Sequence, residues 1–310
     1  MPYVPLIQAL PKAALDAAEV RWGSLSARQP DLRPAIALQR QIIGRLLALN
    51  DALRRAGQLR LSLPAGYLAA KLHRHIPALS GERIPVPVQT LGPALASFCE
   101  DLADGGAGES AAHLKSVLLE GRLDPASVLA ASLGRHQQAI RAGAAAHSLS
   151  PDLLWLVAEL AASPFAYSLQ RQYLGSTADA RLTDALDTWT HGYCPSCGSW
   201  PALAEALDNG HRALRCSFCA LAWTPRTEGC VYCGASGAGV VSFAPDDTRP
   251  GQRVDACGSC HGYLKTIGVA EWSPFPLLSI GDLETAPIDA EMMARGFTRP
   301  PLRDFTSHKP

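Results

Sequence analysis

The chain has 310 residues, with 28 lysines and arginines balancing 28 aspartates and glutamates, and 47% apolar residues. That length exceeds a typical single domain and can bury a sizeable core, while a net charge of zero gives no global field to attract nucleic acid, an anionic membrane or an acidic partner. No run of eighteen apolar residues occurs, and the start Met-Pro-Tyr-Val-Pro lacks the basic region and apolar stretch of a signal peptide. The expectation is therefore a cytoplasmic protein without stable membrane insertion, in a compartment that keeps thiols reduced.

The first half reads as helices. Residues 12 to 22 have helical composition, and a stronger pattern runs from Asp31 to Ala56. There Asp31 is placed to cap, Pro34 sits in the first turn, and Ile36, Ile42/Ile43, Leu46/Leu47 and Leu53 recur at helical spacing until Gly57. A shorter helix is expected from Ala65 to His75, then a proline-bearing loop from Pro77 to Pro87 and a helix from Pro87 to Asp104 that Gly105, Gly106 and Gly108 break. Three alanine-rich helices follow: Ser110 to Gly121, Asp124 to Leu133 and Arg135 to His147. Ser150-Pro151 begins another, with serine as cap and proline in the first turn; Pro164 is expected to interrupt it before a last helix from Phe165 to Leu174. Cys99, beside Phe98 on an apolar face, reads as a buried small hydrophobe. His73 and His75 near a helix end carry no catalytic constellation.

The second half is organised by sulfur. Eight of the nine cysteines form four Cys-x-x-Cys pairs: Cys194/Cys197, Cys216/Cys219, Cys230/Cys233 and Cys257/Cys260. Two thiolates on one tight turn supply half of a tetrahedral site and a second pair completes it, the spacing of a zinc ribbon or a rubredoxin-like iron centre. Gaps of eighteen, ten and twenty-three residues favour consecutive pairing, site one from Cys194, Cys197, Cys216 and Cys219 and site two from Cys230, Cys233, Cys257 and Cys260; an interleaved arrangement stays open. Four disulfides suit small secreted chains and a single redox pair needs only one motif, so four clustered pairs favour metal. Soft thiolates accept zinc and iron alike. Gly198 and Gly234 follow the second cysteine of their pairs, where positive φ turns N–H groups toward sulfur, and Asp208-Asn209-Gly210 marks a hairpin between the first two pairs. Trp200, Phe218, Trp223, Tyr232 and Tyr263 read as cover for the sites or as a patch for a partner. From residue 186 to 270 there are six basic residues against seven acidic ones, and tetrathiolate centres add further negative charge, so nucleic-acid binding is not expected. Beyond them a helix from Leu283 to Arg295, restarted at Pro287 and ended by Gly296, precedes a loose tail from Pro300.

Tyr-Cys-Pro-Ser-Cys-Gly-Ser (193 to 199) with Pro201, Leu-Arg-Cys-Ser-Phe-Cys (214 to 219) with Trp223, Cys-Val-Tyr-Cys-Gly (230 to 234), Asp-Ala-Cys-Gly-Ser-Cys-His-Gly-Tyr-Leu-Lys-Thr (255 to 266) and Met-Ala-Arg-Gly-Phe-Thr-Arg-Pro (293 to 300) resemble the formate dehydrogenase accessory protein FdhE family. The likeness is specific from about residue 185 onward. Before that it extends only to length and helical character, and His261 stands where the family has glycine. The expected fold is a mainly α N-terminal domain (1–185), a first rubredoxin-like ribbon (186–225), a second (226–272), each a zinc-ribbon β module with a four-cysteine site, and a C-terminal helix and tail (273–310). The resemblance implies no enzyme but a cytoplasmic accessory factor for maturation of respiratory formate dehydrogenase. It implies binding to that enzyme's catalytic subunit, rubredoxin-type iron and an ability to form homodimers. Two metal ions per chain are expected, iron by resemblance or zinc by spacing. A rubredoxin-type electron-transfer protein is the alternative.

Overall fold

In the computed structural model the described residues are 12–57, 63–175, 179–225, 229–244 and 251–299. The Met-Pro-Tyr-Val-Pro start and the tail from Pro300 lie outside them. Eleven helices are present among the described residues: α1 (Lys12–Arg28), α2 (Arg33–Ala56), α3 (Ala65–His73), α4 (Val88–Leu102), α5 (Gly108–Leu119), α6 (Pro125–Leu133), α7 (Gln137–Ala146), α8 (Pro151–Leu174), α9 (Ala180–Asp187), α10 (Leu278–Glu284) and α11 (Ala286–Ala294). Six strands accompany them: β1 (Pro201–Leu207), β2 (Arg212–Cys216), β3 (Ala222–Trp223), β4 (Val240–Phe243), β5 (Arg253–Cys257) and β6 (Tyr263–Val269). They fall into two compact units, one from residues 19–57 and 79–172, the other from 12–18, 63–78 and 173–299.

The first unit is helical. Its α4 packs on α2, α5 and α6 and buries Leu91, Leu95 and Phe98 among Leu114, Val117 and Leu129. Arg45 of α2 donates two hydrogen bonds, 2.6 and 2.7 Å long, to the Asp101 carboxylate of α4, a bidentate clamp between the two helices. Helix α2 buries Ile36, Ile43, Leu46 and Leu53 and ends at Gly57 with φ of 90°, but it starts at Arg33. Asp31 lies in the preceding 3₁₀ turn and caps nothing, because Pro30 and Pro34 set the backbone there. Asp124, in contrast, caps α6 by accepting from the Ala126 and Ser127 N–H groups.

The expected break at Pro164 does not occur: α8 runs unbroken from Pro151 to Leu174. An interior proline costs about 3 kcal/mol. Phe165 and Leu169 are buried beside it, each contributing roughly 1.5–3 kcal/mol by leaving water, which is enough to keep the helix continuous. Helix α9, which apolar periodicity did not announce, is short and held at its start by the Asp179 side chain accepting from the Arg181 N–H. In the C-terminal segment one expected helix is two. Pro287 sits in the first turn of α11, where its ring would meet the carbonyl four residues back in a continuous helix, and Thr285 closes α10 instead by donating to the Gly281 carbonyl.

The second unit is built on one six-stranded sheet in the order β3-β2-β1-β6-β5-β4. Each expected ribbon is present as three antiparallel strands, β1 to β3 and β4 to β6. The ribbons join through a parallel pairing of β1 with β6, which sets Ala204 opposite Thr266 and Leu207 opposite Val269. Side chains alternate across this sheet. One face carries Leu203 and Ile267 against Leu278 of α10, and Val254, Ala256 and Tyr263 against Ile288 and Met292 of α11. The other face receives the alternate positions, including the alanines of β1 at 204 and 206.

Candidate metal centres

Each Cys-x-x-Cys turn is shaped by its own backbone. The N–H of the first cysteine reaches back to a carbonyl just beyond the second: Cys194 to Ser199, Cys216 to Leu221, Cys230 to Ala235 and Cys257 to Gly262, at 2.7 to 2.9 Å. Closing this loop requires a left-handed residue after the second cysteine. Gly198 and Gly234 supply it at φ of 80° and 74°, and Ala220 and His261 do so at 56° and 55° despite their Cβ atoms. The residue that departs from glycine at position 261 therefore keeps the turn, at the cost of a conformation that side chains disfavour.

The turns gather eight sulfurs into two groups, Cys194, Cys197, Cys216 and Cys219 in one and Cys230, Cys233, Cys257 and Cys260 in the other, with all sulfurs of a group within 4.8 Å of one another. This is the consecutive arrangement. Neighbouring sulfurs stand 3.5 to 3.7 Å apart in the first group, and 3.7 Å apart in the Cys230/Cys260 and Cys233/Cys257 pairs. A disulfide would need about 2.05 Å. A tetrahedron with metal–sulfur bonds of about 2.3 Å has edges of about 3.8 Å, so the donor set fits a tetrahedral cation such as zinc or iron without choosing between them.

The two groups differ in exposure. All four cysteines of the first are buried, whereas Cys233 and Cys260 of the second are exposed. Burial comes first in pushing the Cys194 and Cys219 thiols well above their ordinary value, and neighbouring sulfurs add to it at Cys194. Burial also drives Cys260 up to about 12. At Cys257 burial pulls the same way but is outweighed by the Cys260 and Ser259 N–H groups, which bring the thiol down to about 7. Thiols that hold their protons this firmly ionise when a cation replaces the proton, so occupancy of such sites falls with acid. Amide donors also point at sulfur in the first group, where Phe218 and Cys219 both donate to Cys216 at 3.4 Å.

The surroundings tie the centres to the sheet and to each other. Glu205 of β1 and Arg215 of β2 form an ion pair with both side chains fully buried. Arg215 also donates to the Ser273 carbonyl at 2.7 Å, while Glu205 accepts from the Ser273 N–H. Gly192 lies against Val231, inside the Cys230/Cys233 turn, so closely that a Cβ would stand 1.9 Å from the Val231 carbonyl oxygen. Aromatic rings form a chain between the same two turns: Tyr193 meets Trp200 at 6.1 Å and Trp200 meets Tyr232 at 5.3 Å. Phe218, Trp223 and Tyr263 are buried, in keeping with aromatic cover. Beneath β6, buried Lys265 is paired with Asp282 and Asp289, and Arg299 pairs with the same two carboxylates.

None of the residues weighed in the first half joins a centre. Cys99 is buried in α4 with its thiol pushed up to about 12 by desolvation, which makes it inert. His75, at φ of 58°, gives its carbonyl to the Tyr193 hydroxyl at 2.9 Å and stacks edge-on to His191. Sequence reasoning missed Gly192, the Glu205–Arg215 pair and the contact between turns. Only the charged pair had a signal, two opposite charges at the inward phase of one hairpin.

Geometry and fold together define a protein with two zinc-ribbon-like four-cysteine sites in a single sheet, each able to bind one metal ion. Among curated proteins, the FdhE homolog of Shewanella oneidensis is 37% identical over 107 residues, 34% of this chain and 35% of that protein. The FdhE homolog of Haemophilus ducreyi is 29% identical over 163 residues, 51% of this chain and 49% of that protein. The matches thus span about a third to a half of the length of these relatives. A crystal structure of the FdhE protein from Pseudomonas aeruginosa superposes with a TM-score of 0.57, covering 95% of this chain and 96% of that one at 21% identity, a likeness of fold. No protein-family model matches the chain. Part of the sequence is thus similar to FdhE homologs, and the fold is shared with an FdhE protein.

Proposed function

We propose that the protein is an accessory factor in the maturation of respiratory formate dehydrogenase, acting in the cytoplasm by binding the enzyme's catalytic subunit and carrying one metal ion in each four-cysteine site. The observation that carries this reading is the pair of tetrahedral sulfur groups in a fold shared with an FdhE protein. The family name suggests an accessory protein rather than an enzyme, and a helical unit and a metal-braced sheet each offer recognition surfaces. No helix among the described residues is long and apolar enough to cross a membrane. The eight cysteines named above are the ligands in this reading, and the chain is able to pair with a second copy. The test is co-purification with the catalytic subunit and recovery of formate dehydrogenase activity in cells lacking the chain. Changing Cys194 and Cys197 together to alanine abolishes both if the reading holds, and full activity with that variant refutes it.

A second reading, rubredoxin-type electron transfer, is favoured by the half-exposed second site, since a four-thiolate iron changes charge with little movement of its ligands. A red protein bleached reversibly by dithionite supports it, and a colourless zinc protein removes it.

A further inference from the structure

On the sheet face opposite α10 and α11 lies a cavity of about 280 Å³, walled by Leu214, Leu264 and Tyr232 and headed by Arg212, Arg253 and Asp255. Arg212 reaches from β2 across β1 to β6 and β5. Its Nε donates to the Thr266 hydroxyl at 3.0 Å and a terminal nitrogen donates to Asp255 at 2.8 Å. Arg253 donates through Nε to the other oxygen of Asp255, also at 2.8 Å.

Two guanidinium groups thus share one carboxylate, leaving one positive charge over. A guanidinium carries about five N–H donors, and among the described residues no protein acceptor meets the donors beyond these three. Burial works against the charge of Arg212, lowering its pKa although Asp255 opposes the shift, so a second anion at this place would relieve it. Within this trio of side chains the surplus is a single charge. Cys230 and Cys257 of the second sulfur group also border the cavity, and a metal-bound thiolate centre repels a multiply charged guest. The apolar walls accept a body of carbon: about 150 Å³ suffices for a benzene, so this space holds a ring or branched chain with a short arm.

We infer that this cavity binds an organic monocarboxylate, its head group bridged between Arg212 and Arg253 and its apolar body against Leu214, Leu264 and the Tyr232 ring. The same group can arrive as a free small acid or as the C-terminal carboxylate of a polypeptide ending in an apolar residue. The site is independent of the maturation role.

Isothermal titration of the full metal-loaded chain with 3-phenylpropionate, with its neutral amide, and with a pentapeptide ending in leucine tests this. Saturable one-to-one binding of at least one carboxylate, weakening with added salt, is expected, and the amide binds at least tenfold more weakly. Arg253→Gln leaves the Arg212–Asp255 pair in place and weakens the carboxylate at least tenfold while circular dichroism and melting stay near wild type. Tighter binding of the peptide identifies a protein terminus as the source, and tighter binding of the free acid identifies a small molecule. Heat from neither probe, equal affinity for acid and amide, or an Arg253→Gln chain that is folded and binds unchanged overturns the assignment.

Discussion

Replacing Gly192 with alanine isolates the contact between the two cysteine turns. Gly192 does not occupy the left-handed region, so its backbone is one that alanine adopts and the penalty is purely steric. The new Cβ would stand 1.9 Å from the Val231 oxygen, 2.6 Å from its carbonyl carbon and 2.7 Å from its Cα. An ordinary carbon contact is about 3.5 Å, so backbone on one side retreats by roughly 1.5 Å. Val231 lies between Cys230 and Cys233, and metal–sulfur distances tolerate about 0.2 Å, so the second site cannot follow without losing its tetrahedron. Overpacking of this kind costs about 1–3 kcal/mol; because backbone rather than a flexible side chain is struck, the upper figure applies. At 2–4 °C per kcal/mol, melting of the metal-loaded chain falls by roughly 6–12 °C, and bound metal drops from about two ions per chain toward one. Gly44→Ala in α2 is the matched control: its Cβ meets nothing within 4 Å, and it gains about 0.5–1 kcal/mol. A Gly192→Ala chain that melts within a degree of wild type with both metals bound refutes the contact.

Other consequences are open to the same measurements. Glu205→Gln leaves Arg215 charged in the sheet interior and costs about 3–5 kcal/mol in denaturant titrations, whereas Glu205→Met with Arg215→Leu recovers most of it; an unchanged midpoint in the single variant would falsify the pair's role. Cys257→Ala with Cys260→Ala removes about one metal per chain and leaves the first site filled, and simultaneous loss of both metals contradicts separate sites. Burial opposes ionisation of Asp282, but Arg299 and then Lys265 outweigh it and hold the carboxyl below its ordinary value. Its contribution is therefore fully present above the unfolded pKa, near pH 4, and disappears as pH falls through the lower folded value. Asp282→Asn flattens that acid limb of the stability profile, and an identical limb in the variant excludes Asp282 as its source.

The sulfur centres were legible because ligand spacing is a local constraint: Cys-x-x-Cys turns aim their sulfurs whatever the rest of the chain does. Gly198 and Gly234 could be read for the same reason, and the hairpin at Asp208-Asn209-Gly210 appears with Gly210 at φ of 82°. Helix periodicity located α2 and α4 but not which helices they pack on, and nothing in Ala65–His73 indicates that it packs on α9. Pro164 was misread because local propensity overstates a cost that burial around it offsets. The parallel β1–β6 pairing was illegible altogether, since it joins segments whose relation is set by packing on α10 and α11. The same is true of Gly192, whose significance lies in a turn far along the chain.

That parallel pairing has a consequence for how the molecule assembles. Ala204 and Thr266 meet at the centre of the sheet, yet nearly the whole two-ribbon segment lies between them, so the central ladder forms only after the last strand exists. Closing a long loop carries an entropy cost that grows slowly with the length left unconstrained. An ion captured early by Cys194, Cys197, Cys216 and Cys219, and another by the later four, would each tie off part of that segment and shorten the search. The cations then act as assembly clamps, and refolding of the stripped chain is slow for a reason of topology.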